Sequence, residues 1–239
     1  MPKNLSDQLL HDLGERIVHG ELEPGHVLPK VETLSEMRGV SRTVVREALK
    51  GLSARRLVVS ATRTGTIVQP PTEWLWWDPD IIAWASSADD PRLFLLQLSE
   101  VRLAMEPAAV RLAALNATEE DIAQMEHAYL NLEKAAEDNG SWAEADAEFH
   151  ASILEGSHNQ LMKSLVQTLH IGLLQSRHKT IEVLKQNPES RKASALYMHR
   201  DVLDAIRNRD PDAAYDRMRE LLHSVVALIE EYGAQRHGS

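Results

Sequence analysis

Apolar residues recur at Leu9, Leu13 and Ile17, four apart, which predicts a helix from Leu5 to Val18 with one buried stripe. Beyond it, Ile17 to Pro29 reads as a helix end, a Pro24-Gly25 turn and a short extended piece. Gly39 can take the φ > 0 conformation that ends a short helix, and Ser41 is a good N-cap for the next one. That next helix turns Val44, Val45, Ala48 and Leu49 inward and Arg42 and Arg46, four apart, outward on one side. Two β-prone runs follow, Leu57-Val58-Val59 and Thr66-Ile67-Val68, around a turn with Gly65 near its tip. Three helices and a hairpin in this order predict a winged helix-turn-helix over residues 1–70.

Pro70-Pro71 breaks the pattern, and residues 71–90 read as a linker carrying four of the five tryptophans: Trp74, Trp76, Trp77 and Trp84. Acidic rather than basic residues are interleaved with them, so the stretch predicts a hydrophobic clasp between domains or subunits rather than a base-stacking platform. From Asp90 onward the pattern is helical throughout. Asp90-Pro91 opens a helix to about Leu115, Thr118 opens a second, and Ser141-Trp142-Ala143-Glu144 is a capping-box pattern for a third. Later helices start near Asn159, Pro188 and Asp210-Pro211. Residues 91–239 should therefore form an all-α bundle of six or seven helices, and the fold class is mainly α.

Length and composition add limits. A chain of 239 residues holds two domains comfortably. No apolar run approaches the ~18 residues a membrane helix needs, and no N-terminal signal pattern is present, so a soluble cytoplasmic protein without membrane contact is expected. With no cysteine, thiolate metal sites, disulfides and cysteine nucleophiles are excluded. The net charge of −10 argues against nucleic acid until it is divided along the chain. Residues 1–70 hold 10 of the 26 Lys and Arg and 8 of the 36 Asp and Glu, a net +2, so the remainder carries −12. From Met37 to Arg63, Arg38, Arg42, Arg46, Lys50, Arg55, Arg56 and Arg63 stand against Glu47 alone. Positive charge gathers where phosphates would be met. Arg42 and Arg46, flanked by Ser41 and Thr43, then suit a helix whose N-terminal end enters a major groove.

A few polar side chains interrupt the apolar faces of the bundle. Asp146 and His150 are four apart and could chelate one divalent ion together, or form an ordinary solvated pair. His199 and His223 each lie among apolar neighbours, where a core or boundary histidine is the commoner outcome. Arg102 shares a face with Leu95, Leu98 and Ala109, and Glu106 lies one turn on. The two could form an internal salt bridge, or Arg102 could clamp a carboxylate. Ser176-Arg177-His178-Lys179 matches S-x-x-K but lacks the motifs that accompany a serine nucleophile.

The N-terminal third resembles the GntR family of bacterial transcription regulators. Gly20-Glu21-Leu22-Glu23-Pro24-Gly25-His26-Val27-Leu28-Pro29 and Val40-Ser41-Arg42-Thr43-Val44-Val45-Arg46-Glu47-Ala48-Leu49 carry the likeness almost residue for residue. It departs at Lys30-Val31, where a small residue and a Glu are usual, and at Arg56, where many members have Gly. The helical part is similar to the FCD ligand-sensing domain of the FadR branch. That resemblance implies DNA contacts from Arg38, Ser41, Arg42, Thr43, Arg46, Arg63 and Gly65. It also implies a divalent metal, zinc foremost with nickel or manganese as alternatives, on Asp146, His150, His199 and His223. Arg102 and Glu106 would line an effector cavity, and metal plus arginine would hold a sugar acid or other hydroxy-carboxylate. The runs Trp77 to Trp84, Asp89 to Leu93 and Ser99 to Arg102 are similar to family members that govern sugar-acid operons, which implies a hexonate inducer. The expected whole is a homodimeric repressor on operator DNA, not an enzyme. A metal-dependent hydrolase or lyase acting on a small carboxylate is the alternative, and it leaves the basic N-terminal reader unexplained.

Overall fold

The computed structural model describes residues 4–137, 141–184 and 188–237. The chain divides into two compact units, Met1–Asp89 and Asp90–Ser239. In the first, α1 (Leu5–Val18) starts on Asn4, whose side chain accepts from Asp7 N at 2.8 Å. It is followed by α2 (Val31–Arg38) and α3 (Arg42–Ala54). Gly39, at φ 63, lets the chain reverse: its own N–H and that of Val40 reach back to Glu36 and Ser35 carbonyls, closing the end of α2. Ser41 then caps α3 by accepting from Val44 N. At the other end Lys30 provides α2 with no side-chain cap, a local cost of the departure noted above.

The three helices bury Leu9, Leu13, Ile17, Leu34, Val45, Ala48 and Leu52 as one core. The tail of α3 closes with Leu57 N donating to Leu52 O and Arg56 N to Ser53 O, a Schellman arrangement. It requires a left-handed residue, and Arg56 occupies it at φ 56. This explains why glycine is usual there. The hairpin of β1 (Val58–Ala61) and β2 (Gly65–Val68) is antiparallel, with Val58 opposite Val68 and Ala61 opposite Gly65. Val27 bridges to Ile67, so the piece after the Pro-Gly turn edges the hairpin.

The 71–90 stretch contributes to this first core. After a 3-10 turn, Pro71–Glu73, comes α4 (Pro79–Ser87), capped by Asp78. Trp74 and Trp84 are buried with the winged helix, whereas Trp76 and Trp77 stay largely exposed. Trp84 lies against Gly14, where a Cβ would meet its ring at 2.3 Å, and its Nε1–H donates to His11 Nδ1 at 2.6 Å. Arg55, at the end of α3, bonds Asp78 at 3.0 Å and Asp80 at 2.6 Å. Of the tryptophans expected to form a clasp between domains or subunits, Trp74 and Trp84 thus belong to the core of the first unit itself.

The second unit consists, among the described residues, of six helices: α5 (Arg92–Asn116), α6 (Glu119–Glu137), α7 (Trp142–Gly156), α8 (Gln160–Leu184), α9 (Pro188–Arg207) and α10 (Pro211–His237). Thr118 and Asp121 cap α6 reciprocally, Asn159 accepts from Leu161 N and Met162 N, and Asp210 accepts from Ala213 N. Ser141 makes no side-chain cap bond, so the capping box expected there does not form. Small residues on α5, Ala109, Ala113 and Ala114, admit close packing, and Met125, Phe149, Ile153, Leu203, Ile206, Met218 and Leu222 complete the core. No described helix is long and apolar enough to cross a membrane.

Candidate functional site

Most of the residues expected to contact DNA lie on the exposed face of α3. Ser41, Arg42, Thr43 and Arg46 are all exposed at its N-terminal end. Among the described residues Arg42 has a distant ion pair to Glu32, 3.8 Å, and Arg46 lines a shallow groove with Lys50, Ser60 and Thr66 between α3 and the hairpin. Arg63 and Gly65, the latter at φ 98, form the exposed hairpin tip. Arg38 differs, being paired with Asp12 of α1 at 2.5 Å. Exposed pairs of this kind contribute about 0–1 kcal/mol, so a phosphate can take Arg38 over. Arg55 faces Asp78 and Asp80, and its charge serves the fold of this unit.

The second unit holds a half-open cavity of about 250 Å³ lined by side chains from α5, α7, α8, α9 and α10. Helical spacing brings Trp142, Asp146 and His150 of α7 onto one face, with Arg102 from α5 and His199 from α9 beside them. Arg102 is 2% exposed; its Nε donates to Glu106 Oε1 at 2.6 Å and its Nη2 to Oε2 at 3.4 Å. Glu106 also faces His150 Nδ1 at 2.9 Å. Burial alone would raise the Glu106 pKa, but Arg102 and His150 outweigh it and hold the carboxyl below the usual range. Glu106 thus acts behind the cavity wall, on Arg102 and His150, instead of lining the cavity as expected.

The two histidines share one design. His150 Nδ1–H donates to Glu106, leaving the Nε2 lone pair buried, without a hydrogen-bond partner and 3.8 Å from Asp146 Oδ2. Burial pushes its pKa down, and Glu106 and Asp146 offset that only in part. His199 Nδ1–H donates to Ala195 O at 2.7 Å, which turns its Nε2 toward Asp146 Oδ1 at 2.9 Å. A lone pair facing a carboxylate oxygen at that distance needs a cation between them, a proton or a metal ion. Second-sphere oxygens that hold Nδ1–H and free Nε2 are the usual preparation of imidazole for a metal.

Asp146, His150 and His199 place one ligand atom each within 4.8 Å of one another, all buried. Ligands at about 2.1 Å from one ion stand at most about 4.2 Å apart, so modest side-chain adjustment closes the set. Two imidazoles and a carboxylate fit zinc, nickel or manganese with positions left open toward the cavity. His223 does not join them. On α10 the cavity-lining positions are Leu221, Ser224, Val225, Ala227, Leu228 and Glu231; His223 is outside this set and exposed.

Arg177 of α8 was missed from the sequence. It is 5% exposed, lines the cavity and donates a very short hydrogen bond from Nε to Asp146 Oδ2. Burial would raise the Asp146 pKa, but Arg177 above all, with His150 and His199, holds it well below the carboxylate range. The signal was present: Leu169, Leu173 and Arg177 form an i, i+4, i+8 stripe whose first two members are core. The S-x-x-K pattern spans Arg177, and the side chains of its Ser176 and Lys179 lie outside the described residues.

Comparison with known proteins gives this geometry its context. Residues 5–68 match the bacterial regulatory proteins of the gntR family, and residues 97–224 match the FCD domain. The chain is 33% identical over 232 residues to the galactonate operon transcriptional repressor of Escherichia coli (strain K12), spanning 97% of this chain and 99% of that protein. It is 29% identical to the HTH-type transcriptional repressor NanR of Enterobacter sp. (strain 638), over 97% and 87% of the two. A solved GntR structure from Streptococcus agalactiae superimposes with TM-score 0.52 at 25% identity, covering 95% of this chain and 99% of that one. Lar, which controls the Listeria monocytogenes agr system, shares the fold at TM-score 0.63 and 18% identity, over 97% and 99% of the chains. The named relatives are transcription regulators, not enzymes, and such regulators bind operator DNA and small effectors. With a basic reading helix at one end and an FCD domain over more than half its length, this chain belongs to the gntR family and is a DNA-binding transcriptional regulator.

Proposed function

We propose that this regulator is a repressor that leaves its operator when a sugar acid binds beside a divalent metal ion in the helical cavity. The observation that carries this reading is the pair of Nε2 atoms, on His150 and His199, both prepared by Nδ1–H donation and both directed at Asp146. When bound, the ion supplies coordination positions for a carboxylate oxygen and a neighbouring hydroxyl. The remaining work falls to the chain: Arg102 and Arg177 supply guanidinium charge at the cavity wall, Ser194 and Ser224 supply hydroxyls, and Trp142 and Leu228 exclude water. A cavity of about 250 Å³ lies just below the drug-sized range of about 300–1,000 Å³ and suits a small acid. The relative named for the galactonate operon supports a hexonate such as galactonate.

In this reading residues 1–70 read DNA, 71–90 join the two parts, and 91–239 bind the effector and carry dimer contacts. A homodimer sets two α3 helices on half-sites one helical turn apart, and effector binding shifts the population away from that spacing. Its site of action is the cytoplasm. Zinc is the first candidate ion, with nickel and manganese next. The test is fluorescence anisotropy on labelled DNA from upstream of its own gene, at fixed salt, with a panel of sugar acids. Competitor-resistant binding released by one acid is the expected result; tight binding that no acid alters would refute the effector assignment. Asp146→Asn should abolish metal uptake and the acid response while leaving operator affinity within about twofold, and a metal-free wild type would end the metal assignment.

A further inference from the structure

Several basic residues of the first unit are already engaged within it. Arg16 holds Glu21, Arg38 holds Asp12, Arg55 holds Asp78 and Asp80, and Arg42 stands 3.8 Å from Glu32. Arg46 and Lys50 differ: among the described residues neither has an ion pair or a hydrogen bond. They are exposed and line the cleft between α3 and the hairpin together with Ser53, Ser60 and Thr66, whose hydroxyls likewise have no partner among the described residues. No carboxylate of the described residues lines that cleft. Helical spacing explains the placement. Arg42, Arg46 and Lys50 are four apart, and each such step turns about 40° around an α-helix, so the row that starts at Arg42 has swung round to the hairpin by Lys50. On the opposite wall Ser60 and Thr66 are direct partners across β1 and β2, one step back from the Ala61 and Gly65 pair at the tip. An anion in the cleft would therefore meet one ammonium group and hydroxyl donors together.

We propose that Lys50, with Ser60 and Thr66 opposite it, is a seat for the phosphate backbone of DNA, separate from the residues that read bases. Every major groove is bordered by two sugar-phosphate strands. With the N-terminal end of α3 in the groove, the hairpin stands beyond one of those strands, and the strand runs over the cleft. Arg46, one turn nearer the N-terminus, stays within reach of base edges, whereas Lys50 meets phosphate oxygens as a point charge. Its contribution is independent of sequence: it fixes how α3 sits in the groove and leaves the choice of base to the residues before it. The inference rests on DNA reading by residues 1–70, and on neither the metal nor the acid.

The experiment is fluorescence anisotropy of the full-length protein on two labelled duplexes of equal length, DNA from upstream of its own gene and a scrambled sequence, across a salt series. Lys50→Gln removes one charge from an exposed position. It should flatten the slope of log affinity against log salt by about 0.9 per bound copy on either duplex, which amounts to an about eightfold loss at about 0.1 M salt relative to about 1 M. Lys50→Arg should restore the slope. Val31→Glu sets a carboxylate into the cleft, in the first turn of α2 where negative charge favours the helix, and should weaken binding to the two duplexes alike. Arg16→Gln removes the same charge from a residue that does not line the cleft and should leave the slope unchanged. An unchanged slope in Lys50→Gln, a loss confined to one duplex, or an equal loss in Arg16→Gln would overturn the phosphate seat. If the wild type binds the two duplexes alike, the upstream DNA holds no operator and the repressor reading fails on it, while the slope comparison still decides the role of Lys50. Circular dichroism of each variant verifies the folded state being titrated.

Discussion

Replacing Glu106 by Gln removes one negative charge from the interior of the helical domain while nearly preserving shape. Glu106 is 4% exposed and serves two groups: Arg102 through contacts of 2.6 and 3.4 Å, and His150 Nδ1 at 2.9 Å. Breaking a buried pair from one side costs about 3–5 kcal/mol because the surviving charge is left uncompensated. The Gln carbonyl still accepts one hydrogen bond, which favours the lower end, about 3 kcal/mol. At about 2–4 °C per kcal/mol for a protein of this size, the midpoint should fall by about 6–12 °C. The carboxyl's folded pKa lies below its unfolded value, so its contribution is complete above the ordinary carboxylate pKa of about 4.3 and is lost as pH falls below it. The stability difference between wild type and variant should therefore be flat from pH 7 to about pH 5.5 and narrow below pH 4.5. The Glu106→Gln variant would also lose its hold on the His150 ring, and second-sphere changes of this type lower metal affinity about 10–100-fold. Unfolding in EDTA followed by circular dichroism, across pH, gives the first quantity and chelator competition the second. A variant within about 0.5 kcal/mol of wild type at pH 7, or a difference that does not change with acid, would refute the electrostatic account.

Arg46→Ala should weaken operator binding by about 1–3 kcal/mol if Arg46 reads a guanine edge, measured by anisotropy on matched and mutated operators; an unchanged affinity would remove it from the interface. Gly14→Ala should destabilise the N-terminal unit by about 1–3 kcal/mol despite the better helix propensity of Ala, because the new Cβ would sit 2.3 Å from the Trp84 ring; thermal unfolding reads the difference. Arg56→Gly should raise stability by about 1 kcal/mol, since the residue sits at φ 56, and chemical denaturation will show whether the strain is relieved.

The reading helix and its turn were legible because the determinants are local. Gly39 at positive φ, Ser41 as a cap and the inward spacing of Val45, Ala48 and Leu52 need only near neighbours to act. Charge sorting along the chain was legible for the same reason, being a property of order and not of shape. The pairing of Asp146 with His150 is a matter of one helical turn, and it too could be read directly. What depended on contacts between helices could not. Periodicity marks a residue as interior without saying which interior residue it will meet, and Arg177, Asp146 and His199 come from three different helices. The ends of a helix face also cannot be placed by spacing to a distant residue, so whether His223 or Leu221 looked into the cavity was decided only when α10 packed against its neighbours. Local order thus determined the reader, the division of charge and the helical character of the second half. Tertiary packing decided that Trp84 belongs to α1, that Glu106 stands behind His150, and that an arginine holds the carboxylate of the candidate metal site, because those choices depend on side chains brought together across tens of residues.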